Sequence, residues 1–149
     1  MADKRNLFVG DPEIPLPLRV VQAKRGVGSF LTIDLASRDE AERPDVRWMI
    51  WVYLCDWVLM DRDGTEILNS DCSDNAIYEQ ALKKLINVKL LEAGAEDNNE
   101  TCRLFFSDDF QLFMDDASDV YGPDKDMFKI FRNDSFYAFF KPRIGFVHG

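Results

Sequence analysis

At 149 residues, 46% hydrophobic and 13% aromatic, the chain has the size of one domain and is too apolar to be disordered. Its net charge of −9 argues against binding a nucleic-acid backbone, which requires a basic face. Its longest uninterrupted apolar run, Trp48 to Cys55, is too short to span a membrane, and Met1 to Asn6 lacks the apolar stretch of a signal peptide, so cytoplasmic residence is expected.

Residues 1–27 contain Pro12, Pro15 and Pro17, a spacing that favours extended chain, with Leu18 to Val21 as an edge strand. Gly26 and Gly28 mark a turn. Ser29 to Leu35 alternates, with Leu31, Ile33 and Leu35 on one side, which predicts a strand. Residues 37–47 are charged, contain Pro44 and read as an exposed loop.

Arg47 to Asp61 carries the strongest signal. Read as one strand, it has Trp48, Ile50, Val52, Leu54, Val58 and Met60 on one face. Met49, Trp51, Tyr53, Cys55, Trp57 and Leu59 occupy the other. Both faces are apolar, which predicts a central strand covered on both sides, with the three tryptophans in the core. Asp56 interrupts the run and, as a buried carboxylate, would need a partner or a bulge. Asp63-Gly64 then predicts a tight turn, and Thr65 to Leu68 a return strand.

Ser70 to Asp74 supplies N-cap candidates; Ile77, Ala81, Leu82 and Leu85 follow at helical spacing, and Lys83 and Lys84 suit a helix C-terminus. One helix is expected over 74–86. Short strands are expected at Val88 to Ala93, Thr101 to Phe106, Phe110 to Met114, Met127 to Phe131, Phe136 to Phe140 and Ile144 to Val147. Ser107-Asp108-Asp109 is a hairpin signal, and Asp115 to Asp126 an acidic loop. The expected architecture is one α+β domain over 1–149, with 1–27 extended at its start: a mostly antiparallel sheet with one principal helix packed on it.

Cys55, Cys72 and Cys102 are odd in number and lack metal-site spacing, so neither a disulfide framework nor a zinc knuckle is expected. Cys55 and Cys102 fall in strand-like runs, Cys72 in a polar loop. Residues 1–50 carry eight basic and eight acidic side chains, whereas 51–149 carry ten and nineteen. Within 96–126, ten acids face only Arg103 and Lys125. Asp108, Asp109, Asp115, Asp116, Asp119, Asp124 and Asp126 are therefore candidates for docking a basic partner. The acids from Asp115 onward do not follow a calcium-loop pattern, because Ala117 and Pro123 break the register. His148, the single histidine, has no nucleophile in a recognisable motif. No catalytic set, metal site or cofactor is expected.

Val58-Leu59-Met60-Asp61-Arg62-Asp63-Gly64-Thr65 resembles the first motif of haloacid-dehalogenase-type phosphatases. Leu104 to Ser107 and Leu112 to Asp116 resemble two later motifs. That resemblance, confined to residues 57–119, implies a magnesium-dependent enzyme with Asp61 as nucleophile and Asp63 as general acid and base. The spacing opposes it. The family's motifs end parallel strands, which need a crossover of about a dozen residues. Ser107 and Asp115 are too close for one, and no lysine lies between them. The hairpin reading of Asp61 to Gly64 needs none of this.

Over about residues 26–131 the chain also resembles small bacterial domains of the immunity-protein kind. The resemblance rests on Gly28 to Thr32, on Trp51, Tyr53, Cys55 and Trp57, on the Ser-rich cap with its helix, and on the later Asp-Phe-x-Leu-Phe strand. It implies a non-enzymatic protein that neutralises a basic partner such as a toxin. A third reading is a small-molecule pocket beside Trp51 and Trp57.

Overall fold

The computed structural model describes residues 5–6, 14, 16–25, 30–37, 47–52, 55–95, 100–116, 126–133, 135–141 and 144–148. Among the described residues twelve strands form one sheet: β1 (Arg5–Asn6), β2 (Leu18–Arg25), β3 (Leu31–Ser37), β4 (Arg47–Val52), β5 (Cys55–Met60), β6 (Glu66–Asn69), β7 (Lys89–Ala95), β8 (Thr101–Phe106), β9 (Gln111–Asp116), β10 (Phe128–Arg132), β11 (Ser135–Lys141) and β12 (Gly145–His148). The order is β12-β11-β10-β4-β3-β2-β7-β8-β9-β5-β6, with β1 beside β7, and all pairings are antiparallel. Among the described residues there is one α-helix, α1 (Asn75–Lys83). The expected α+β class is therefore corrected: this is an all-β fold with a single short helix. A nine-residue helix cannot form a layer of its own against so many strands.

The expected single strand over Arg47 to Asp61 is two strands. β4 pairs with β3 and β10, whereas β5 pairs with β6 and β9. The buried positions change parity between them. Trp48, Ile50 and Val52 are buried in β4; Cys55, Trp57 and Leu59 are buried in β5. Each strand is one-sided, and the apparent double-faced pattern is two alternations out of phase. Asp56, expected to be buried, points outward and is exposed.

β4 and β5 lie far apart in the sheet order, yet Val52 and Cys55 are three residues apart. Three peptide steps span at most about 11 Å. The sheet must therefore curl until its two halves meet. The Cys55 thiol donates to the Met127 carbonyl at 3.6 Å, tying the start of β5 to the residue before β10. Both halves turn their buried faces to one core, which joins Leu31, Ile33, Ile50 and Phe128 to Trp57, Leu59, Leu104 and Leu112.

Helix α1 packs into this core. Asp74 caps it, its carboxylate accepting from the backbone of Ala76 at 2.9 Å and Ile77 at 3.3 Å. Tyr78, Ala81 and Leu82 are buried, whereas Ile77, expected inside, is 51% exposed. The Tyr78 ring meets Trp57 edge-on at 5.8 Å. Past Lys83 the backbone tightens to i to i−3 bonds and leaves the helix at Asn87, in the left-handed region, so the helix stops short of residue 86. Ser70, the one buried polar residue among those described, is satisfied twice: its hydroxyl accepts from the Trp57 backbone at 3.1 Å, and its N–H donates to the Trp57 carbonyl at 2.9 Å.

Burial pushes the Tyr78 phenol well above its ordinary range, against a smaller opposing pull from Arg25, and burial likewise pushes the Cys102 thiol up. The native state keeps protons there that the unfolded chain releases at about pH 8.5 and about pH 10. Their contribution is complete below the lower value and falls as pH rises. Urea denaturation should show a declining midpoint from about pH 8 to about pH 11, and a Tyr78→Phe, Cys102→Ala variant should show a shallower decline. Equal declines in the two proteins would contradict this account.

Candidate functional site

Two neighbouring hairpins carry Asp61, Asp63, Asp108 and Asp109. Asp61 to Thr65 connects β5 to β6. The Asp61 N–H donates to the Thr65 carbonyl and the Gly64 N–H to the Asp61 carbonyl, each at 3.0 Å. Gly64 has φ 74°, which a side chain would strain. The Asp61 carboxylate accepts from the backbones of Asp63 and Thr65, both at 3.0 Å through Oδ1. That oxygen holds the turn, as an Asx side chain does.

The second hairpin joins β8 to β9 through Ser107–Asp109, closed by a bond from the Phe106 N–H to the Phe110 carbonyl at 2.9 Å. Asp108 and Asp109 both have φ 61°, a left-handed conformation that Asp adopts more readily than most residues. Both side chains are exposed. The Ser107 hydroxyl accepts from the Lys89 backbone at 2.9 Å. The register of β5 with β9 pairs Met60 with Gln111, which brings the two turns to one end of the sheet. Adjacent strands lie about 5 Å apart. Asp61, Asp63, Asp108 and Asp109 thus form an acidic end, with Arg62 in the same loop.

The remaining candidates lie elsewhere. Asp115 sits at the opposite end of β9, facing Asp56 across the pair and accepting from the Thr101 hydroxyl at 3.0 Å. Asp116 pairs with Cys55 through the backbone. Asp126 lies 3.9 Å from both Lys129 and Lys141, in the other half of the sheet. Asp119 and Asp124 fall outside the described residues. The described acids of the expected docking surface are therefore dispersed, and Asp115 and Asp116, expected in a loop, belong to a strand.

The two phosphatase-like acids share a turn and Ser107 lies in the neighbouring one, but Asp115 and Asp116 are at the far end of β9. β8 and β9 form a hairpin, with Ser107 at one end and Asp115 at the other. Trp51 and Trp57 do not share a pocket either. Trp57 is 1% exposed, inside the curl, whereas Trp51 is 39% exposed on the outer face, 4.9 Å from the Phe131 ring. Among the described residues no group of three or more His, Cys, Asp or Glu could hold a metal ion, and no helix is long and apolar enough to cross a membrane.

Sequence reading missed the pairing of the two turns, because strand register across fifty residues leaves no local signal. Asp61 could be recognised as part of a turn from Asp63-Gly64 alone. Its proximity to Asp108 could not.

Cys55 and Cys102 are buried and Cys72 is half-buried. A thiol-specific chromogenic reagent should titrate one cysteine in the native protein, lost in Cys72→Ser, and three after denaturation. Two fast thiols in the native protein would contradict this placement. Asp61→Asn keeps the acceptor oxygen and should leave stability nearly unchanged, whereas Asp61→Ala should cost about 1 kcal/mol. If instead Asp61→Asn lost a magnesium-dependent phosphomonoesterase activity present in the wild type, Asp61 would be a nucleophile and not a turn residue.

No protein family, curated protein or solved structure matches the chain.

Proposed function

We propose that this is a non-enzymatic binding protein that docks a basic partner through acidic surface. The observation that carries the reading is the acidic end formed by Asp61, Asp63, Asp108 and Asp109. Asp108 and Asp109 are exposed on a backbone closed by its own hydrogen bonds. Fixed, exposed charges speed encounter with an opposite charge and lose little entropy on contact. Asp115 with Asp56 supplies a second, smaller acidic patch at the other end of the pair.

A toxin is the kind of basic partner implied by the resemblance to immunity proteins. Cytoplasmic residence is part of the proposal and agrees with three cysteines that form no disulfide. The phosphatase alternative, through Asp61 and Asp63, lacks a comparable support, since the Asp61 carboxylate is engaged in its own turn.

The immobilised protein, exposed to native lysate at about 50 mM salt, should capture a basic protein that is released at about 500 mM salt. The variant Asp63→Asn, Asp108→Asn, Asp109→Asn should associate with that protein at least about tenfold more slowly. An association rate unaffected by salt and by the substitutions would overturn the acidic docking surface.

A further inference from the structure

A groove of about 710 Å³ runs between α1 and β2, and its lining carries a charge opposite to that of the acidic turns. Among the described residues, Lys24, Arg25 and Lys83 line it against one carboxylate, Glu79. Three cations to one anion is a local excess of two positive charges in a chain of net charge −9. Leu82 and Ile86 give it an apolar wall.

The central cation is held in place. The Arg25 guanidinium donates to the Asn75 side-chain oxygen at 2.8 Å and lies 5.2 Å from the centre of the Tyr78 ring. Tyr78 is fully buried, edge-on to Trp57, and its hydroxyl donates to the Phe30 carbonyl at 3.4 Å. The guanidinium therefore rests on a ring anchored in the core. A planar fork fixed in this way loses little freedom when it takes up a carboxylate. Lys24 and Lys83 are exposed, one on each wall, and add attraction at the rim. The volume falls within the range of small-molecule sites.

We infer that this groove binds a small organic anion, its carboxylate on Arg25 between Lys24 and Lys83 and its apolar body against Leu82 and Ile86. The combination selects against two simpler classes. A bare inorganic anion gains nothing from the apolar wall, and a neutral aromatic gains nothing from the cations. The site is separate from the proposed acidic docking surface, so either can fail alone.

Benzoate, benzamide and inorganic phosphate are the probes, followed by calorimetry and by backbone-amide signals of Ala23, Arg25, Leu82 and Ile86. Benzoate should shift those four signals and bind at least about tenfold more tightly than benzamide or phosphate. Lys24→Glu with Lys83→Glu should weaken benzoate by about tenfold or more, whereas Arg62→Glu, a charge change in the remote β5–β6 turn, should leave it unchanged. Lys24→Gln with Lys83→Gln provides the milder pair if charge reversal disturbs folding, and circular dichroism checks that each variant is folded. Absent shifts, benzamide or phosphate binding as well as benzoate, or equal loss in Arg62→Glu would each overturn the assignment.

Discussion

The fold depends on how the chain passes from β4 to β5. Within three residues it leaves a place between β3 and β10 and enters one between β6 and β9. A sheet this long, with two such distant positions joined by so short a link, cannot lie open. Curling brings the apolar sides of both halves onto one core, and the buried side of the chain changes from even to odd positions across the link. Strands that switch from one packed sheet to another produce corners of this kind. Trp48 and Trp57 then occupy the same interior from opposite halves, although they have opposite parity.

The curl also determines where charge can go. With one concave face filled by side chains, charged groups are left to the outer face, the turns and the ends. β5, β8 and β9 bring two turns together at one end, and their acids follow. On β2, Lys24 and Arg25 meet Lys83 of the helix. The resulting separation of acidic turns from a basic groove follows from strand order and not from any charged run in the sequence. The acidic stretch 96–126 illustrates this: its described aspartates go to a hairpin tip, to a strand end and to the neighbourhood of two lysines.

Local order was legible in the sequence where the period was clean. The alternation of Thr101 to Phe106 corresponds to β8, residue for residue, because one face is buried throughout. The Asp74 cap was legible from its residue type and the apolar spacing after it. Arg47 to Asp61 was misread for a physical reason: two one-sided strands in opposite phase sum to a pattern apolar on both faces, and nothing in that pattern marks the break. The helix was misread at one position: Ala81, Leu82 and Leu85 are buried as expected, but Tyr78 and not Ile77 enters the core. Tyr78 lies one position from Ile77, and a ring that must meet Trp57 and support Arg25 takes precedence over the more apolar residue.

Tyr78 connects these levels. Its ring packs on Trp57, so it is part of the core formed by the curl. The same ring supports Arg25, so the core fixes a surface cation. Burial that holds the phenol neutral keeps a second charge out of that contact, since a phenolate under the guanidinium would neutralise it. A core aromatic in this position does two things at once: it closes the helix onto the sheet, and it keeps the positive charge of Arg25 directed to the groove.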